Sequence, residues 1–191
     1  MNLPNKLTML RVLLVPVFMA FAAFGKYGTA DYNATCMLVA GIVFAVASFT
    51  DFLDGYLARK YHLVTDFGKF MDPLADKCLT TAAFIYMVAD GICSPVVLAI
   101  ILFREFAVAG VRMIAAESGT VIAANMWGKV KTVLQMLTII FYYFAAALSG
   151  PTDVMGVGLI TVVLTWLVAA ATLLSGGIYL WQNRSCFMQA K

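Results

Sequence analysis

Two short stretches concentrate acidic side chains in a chain that otherwise looks made for lipid. Asp51-Phe-Leu-Asp54-Gly55-Tyr-Leu-Ala58-Arg59 is followed, after eight residues, by Gly68-Lys-Phe-Met-Asp72-Pro-Leu-Ala-Asp76. Each helical residue advances about 100°, so Asp51, Asp54, Gly55, Ala58 and Arg59 fall within an arc of about 140° and share one face. Gly68, Asp72 and Asp76 are four apart and form a slowly turning stripe on the next helix, and the short intervening loop makes the two helices antiparallel neighbours. The four carboxylates can therefore converge. Carboxylates that close do not all stay ionised in a low-dielectric setting without cations, so the pattern implies a metal site. Its hard oxygen donors suit Mg²⁺ or Mn²⁺ better than Zn²⁺, and four acids can bridge two divalent ions. The glycines leave room for a ligand at the backbone, and Arg59 offers a forked donor for phosphate. Solvated helix-end charges are the plain alternative; acids in or beside apolar spans are costly, which argues against it.

A second constellation is basic. Arg104 and Arg112 project within about 100° of each other, with Glu105 at the edge of the same sector. Arginines facing a bundle interior need an anion, and here the acidic partners are outnumbered. Lys131 and Gln135 are four apart on the following apolar segment, as are Gly128 and Thr132, so that segment can present donors to the same cavity. Lys129 points elsewhere unless its helix starts after it, and snorkelling to the interface is an equal reading for it. The lone histidine, His62, lies between the two acidic stretches and reads as a solvated loop residue. Cys36, Cys78, Cys93 and Cys186 are scattered without a CxxC pair and read as small buried hydrophobes.

The elements that must position these groups are membrane helices. The chain has 191 residues, 63% hydrophobic and 12% charged, with a mean hydropathy of +0.91, far too apolar for a soluble domain of this length. The modest net charge of +3 gives no reason to expect nucleic-acid binding. Apolar runs predict an all-α integral membrane bundle of six transmembrane helices in one domain, spanning approximately 7–24, 32–57, 70–89, 95–116, 128–149 and 154–182. The first run is too long for a clear signal peptide and is expected to stay in place. The uncharged run from Cys78 to Ala89 is too short to cross alone, so Asp72, Asp76 and Lys77 must lie within the third helix or at its mouth. Gly25 to Asp31 and Asp90 to Ser94 read as loops, with Pro95 opening the fourth helix. Gly41, Ala45, Gly110, Gly176 and Gly177 (one alanine among them) read as close helix contacts. Of the thirteen Lys and Arg residues, this topology leaves only Lys26 on the face opposite the termini. The positive-inside rule then puts the termini and the acidic site at the cytoplasmic face of the cell inner membrane.

The pattern D-x-x-D-G-x-x-A-R-x8-G-x-x-x-D-x-x-x-D resembles the signature of the CDP-alcohol phosphotransferases. That resemblance implies a six-helix membrane fold, a homodimer, two divalent ions, and a CDP-linked donor that releases CMP. By it, Asp51, Asp54 and Asp72 would ligate metal, and Asp76 would combine metal contact with the general-base role. Asp54, Gly55, Ala58, Arg59 and Gly68 would surround the CDP part of CDP-diacylglycerol. Further segments, Asn2 to Arg11, Asp72-Pro-Leu-Ala-Asp-Lys77, Arg104-Glu-Phe-Ala-Val-Ala-Gly-Val-Arg112 and Gly128-Lys-Val-Lys-Thr132, resemble family members whose acceptor is sn-glycerol 3-phosphate. Arg104, Arg112 and Lys131, then Lys129, would hold the acceptor phosphate. Asn5 and Thr8 would close on the donor, and Arg11 on the acceptor. A cardiolipin-forming relative with phosphatidylglycerol as acceptor is the nearer rival, and a divalent-cation transporter the remoter one.

Overall fold

Six helices carry the apolar runs: α1 (Leu3–Tyr27), α2 (Ala34–Lys60), α3 (Asp66–Ala89), α4 (Pro95–Glu117), α5 (Met126–Ser149) and α6 (Val157–Gln182). The structure is a computed structural model and describes residues 3–27, 33–60, 66–117, 126–149 and 156–184. His62 and Cys186 lie outside the described residues. The helix ends have local causes. Asn33 caps α2 by accepting from the Cys36 amide at 3.1 Å. Gly91, at φ 76°, turns the chain after α3, and the Ile92 and Cys93 amides both close on the Met87 carbonyl at 3.1 Å. Ser94 then caps α4 through the Val96 amide at 3.3 Å, ahead of Pro95 in the first turn. Gly25, Lys26 and Tyr27 differ from expectation in belonging to α1 rather than to a loop. A Cβ on Gly25 would sit 2.8 Å from Met37 Sδ, so glycine lets α1 pass close to α2.

α1, α2, α5 and α6 are each long and apolar enough to cross a membrane. In α3 and α4 the apolar run is interrupted by Asp76 and Lys77 and by Arg104, Glu105 and Arg112. The outward surfaces are apolar, with Leu148, Phe103, Met113 and Trp181 among the most exposed side chains, as expected where lipid is the solvent. α1 packs mainly along α2, α5 lies between α2 and α6, α3 rests on α1, and α4 rests on α6.

The buried faces follow the helical period. Met37, Ala40, Gly41, Phe44 and Ala47 form one stripe on α2, and the same stripe runs on to Ser48 and Asp51, which therefore turn inward. Phe18 fills the centre, its ring 5.2 Å from Tyr143 and 5.9 Å from Phe44. Gly41 admits Tyr143, whose Cβ lies 3.1 Å from where a glycine Cβ would stand. Gly176 is likewise a close contact, but at Gly110 and Gly177 no described residue lies within 4 Å of an added Cβ, contrary to their reading as helix contacts. Two buried threonine hydroxyls are satisfied within their own helices: Thr172 donates to the Val168 carbonyl at 2.6 Å and Thr138 to the Leu134 carbonyl at 2.8 Å. Cys93 is buried, which pushes its thiol up to about 11 and leaves it unreactive. Cys36 is half-buried, and Cys78 is exposed on the outer face rather than buried.

Candidate active site

An alternating bundle brings the starts of α1, α3 and α5 and the ends of α2, α4 and α6 to one end, and a cavity of about 390 Å³ opens there. Its walls include Ser48 and Asp51 from α2, Asp76, Lys77 and Thr80 from α3, and Arg104, Glu105 and Arg112 from α4. Gly128, Lys129, Lys131 and Gln135 of α5 and Tyr179 of α6 also line it. Asp51 and Asp76 thus share one cavity with Arg104, Arg112, Lys129 and Lys131, four of the five residues expected on the acceptor side. Asn5, Asp54, Gly55, Ala58, Arg59, Gly68 and Asp72 lie on the helical backbones of α1, α2 and α3, with side chains outside those described.

The charges are arranged around two carboxylates. Arg11 is buried in α1 and its Nη1 lies 2.7 Å from Asp51 Oδ1. Thr8 is buried one turn earlier. Arg11 therefore meets the acidic side of the site, paired with Asp51, and is not among the described residues that line the cavity. Glu105 is shared by three cations: it accepts from Lys77 of α3 and Lys131 of α5, and Arg104 Nη1 lies 3.2 Å from it. Lys131 is only 3% exposed and Gln135 lies one turn along the same buried face. A buried ammonium is tolerated there because it meets a carboxylate. Lys129 is exposed but still lines the cavity.

Arg104 is fitted between α5 and α6 by two glycines. A Cβ on Gly176 would lie 2.9 Å from Arg104 Cγ, and one on Gly128 would lie 3.3 Å from Nη2. Its buried Nε has no hydrogen-bond partner among the described residues, so part of the guanidinium is left for a ligand. Arg112 Nε donates to Tyr179 Oη at 3.3 Å. A second, apolar groove of about 590 Å³ runs between α1, α3 and α4 and meets the cavity at Lys77, Thr80, Glu105 and Gln135.

Ser48, Thr80 and Tyr179 were not singled out from the sequence. Ser48 is three residues before Asp51 and Thr80 four after Asp76, so helical spacing from the signature aspartates would have found both. At the far end of the bundle, Asp90 is buried against Lys26 Nζ at 2.6 Å and accepts from the Tyr142 hydroxyl. That acid is tied into a structural cluster and offers no second cation station.

The arrangement puts carboxylates and cationic side chains on the walls of one cavity. Comparison with known proteins gives the family. Residues 1–174 match the CDP-alcohol phosphatidyltransferase family. A Bacillus subtilis protein named CDP-diacylglycerol–glycerol-3-phosphate 3-phosphatidyltransferase is 46% identical over 143 residues, covering 72% of this chain and 74% of the relative. A Rickettsia felis protein of the same name is 33% identical over 178 residues, 93% of each chain. A Mycobacterium tuberculosis protein named probable phosphatidylglycerophosphate synthase is 40% identical over 156 residues, 82% of this chain and 71% of the relative. With its signature, its six-helix membrane fold and a match over most of its length, this chain belongs to the CDP-alcohol phosphatidyltransferase family.

Proposed function

We propose that this chain transfers the phosphatidyl group of CDP-diacylglycerol to sn-glycerol 3-phosphate, giving phosphatidylglycerophosphate and CMP. The observation that carries the reading is a single cavity in which Asp51 and Asp76 stand with Arg104, Arg112 and Lys131. The relatives that bear this transferase's name support it. An acceptor with a dianionic phosphate is what a cation-rich wall of this kind matches.

The donor set suits a hard divalent ion, because the cavity has carboxylates on its acidic side and neither thiol nor imidazole among its lining residues. Asp51 and Asp76, with Asp54 and Asp72 of the same signature, would hold two Mg²⁺ or Mn²⁺ ions. Bound there, such ions offset the charge of the diphosphate and of the departing nucleotide. Arg104, Arg112 and Lys131 grip the acceptor phosphate, with Lys129 at the rim. Asp76 takes the proton of the acceptor's 1-hydroxyl as that oxygen bonds to the β-phosphorus. The bond from this phosphorus to the bridging oxygen breaks, and CMP leaves with the electron pair. Gly55, Ala58, Arg59 and Gly68, with Asn5 and Thr8, surround the donor head group. Its acyl chains remain in lipid, which the apolar groove beside the cavity would admit.

The enzyme acts as a homodimer with all six helices in the cell inner membrane and the cavity open to the cytoplasm. Basic residues at the cavity end of the bundle support that orientation. The test is transfer of label from radioactive glycerol 3-phosphate into organic-soluble lipid by the purified protein with CDP-diacylglycerol and Mg²⁺. Metal- and donor-dependent labelling is expected; label that stays in the aqueous phase under every condition would overturn the reading.

A further inference from the structure

We propose that Tyr179 of α6 is a positioning residue for Arg112, fixing the guanidinium so that its two terminal nitrogens are presented to the acceptor phosphate. The inference rests on the proposed role of Arg112 in that pocket. It gives a function to α6, a helix without a charged residue between Val157 and Gln182.

The geometry has three parts. Arg112 Nε donates to Tyr179 Oη at 3.3 Å, and the guanidinium carbon lies 5.6 Å from the ring centroid, so ring and hydroxyl both engage one cation. Tyr179 is itself buried: it is 2% exposed and packs on Val108 and Val111 of α4. Its backbone is held at the end of α6, where the Asn183 amide and the Asn183 Nδ2 donate to the Tyr179 carbonyl at 3.2 Å and 2.7 Å.

Arg112 needs such a hold more than its neighbours do. Arg104 and Lys131 are anchored by Glu105, whereas Arg112 is exposed, and among the described residues no carboxylate pairs with it. A long exposed side chain loses rotamer freedom when it captures a ligand. Holding it through Nε restricts those rotamers beforehand and leaves the Nη pair as a fork for phosphate oxygens. A carboxylate in the same place would restrict the side chain too, but would compete with the phosphate for charge. A neutral phenol does not.

The experiment is steady-state kinetics of the full-length protein in detergent, with Tyr179→Phe made alone and in Arg112→Ala and Arg112→Lys backgrounds. Phenylalanine keeps the ring and its packing and removes the acceptor oxygen. The expected result is a rise of about 5- to 10-fold in KM for glycerol 3-phosphate, the scale of one ordinary hydrogen bond. kcat, KM for CDP-diacylglycerol and thermal stability should stay within about 2-fold or a few degrees. In both Arg112 backgrounds the tyrosine substitution should add less than about 2-fold, because the group it acts through is gone. An equal effect in all backgrounds, or parallel losses in kcat and donor KM, would assign Tyr179 to structure alone and overturn the inference. No effect of Tyr179→Phe, with Arg112→Ala still raising the acceptor KM, would overturn the inference and leave the pocket standing. An unchanged acceptor KM in Arg112→Ala would remove the pocket assignment and this inference together.

Discussion

Arg11 Nη1 lies 2.7 Å from Asp51 Oδ1, so the first aspartate of the signature is oriented by a buried arginine of the neighbouring helix. Charge-assisted contacts of this kind fix a carboxylate's direction as well as its ionisation. The pairing predicts that Arg11→Gln lowers kcat by about 10-fold and raises the Mg²⁺ concentration needed for half-maximal rate. KM for glycerol 3-phosphate should change by less than about 2-fold, since the side chain is spent on Asp51. A raised acceptor KM with unchanged kcat would return Arg11 to the acceptor wall.

Glu105 gives a prediction whose sign is informative. Its carboxylate serves Lys77, Lys131 and Arg104 together. If it acted only as a competing anion, Glu105→Gln would tighten acceptor binding by making the cavity more positive. A buried network that organises its cations predicts the reverse, a rise of about 10-fold in acceptor KM, together with lower thermal stability. Kinetics and a melting curve on the one variant distinguish the two.

Stability and activity should separate at the far end. Asp90, its side chain 3% exposed, pairs with Lys26 at 2.6 Å, and Lys26 also donates to the Ala89 carbonyl. Asp90→Asn leaves a half-buried ammonium without its counter-charge, a loss of about 3 kcal/mol. The melting temperature in detergent should fall by several degrees while kcat and both KM values, measured well below it, stay unchanged. A kinetic defect without a thermal one would mean that this end communicates with the cavity.

Adjacent glycines on α6 should behave differently. Gly176 faces the Arg104 stem at 2.9 Å, whereas among the described residues nothing lies within 4 Å of a Cβ on Gly177. Gly176→Val should therefore push Arg104 aside and raise acceptor KM by about 10-fold or more. Gly177→Ala should be kinetically silent and stabilise the helix by about 0.5–1 kcal/mol. Equal effects at the two sites would contradict the packing described for Arg104.

Much of the site was legible because lipid-facing helices make charge conspicuous. Asp51, Asp76, Arg104, Arg112 and Lys131 stand out against apolar neighbours, and a 3.6-residue period suffices to bring them to one side of their helices. Pro95 and the Asp90–Ser94 turn were readable from local chemistry alone. The rest depended on contacts between distant segments. Lys26 continues α1 because its partners are on α3, 63 residues away, and no local pattern carries that. Tyr179 looked like one more aromatic in an apolar helix until Arg112 was found against it. Gly110 and Gly177 are small residues of the kind found at helix contacts, yet no described residue packs on them, because a small residue marks an interface only when another helix passes over it.

The proposed reaction is tested most directly by CMP release from CDP-diacylglycerol and Mg²⁺ by the purified protein, with glycerol 3-phosphate, phosphatidylglycerol or no acceptor. Release that requires glycerol 3-phosphate is the expected result. Release only with phosphatidylglycerol would contradict the acceptor assignment, and no release under any condition would contradict the transferase reading itself.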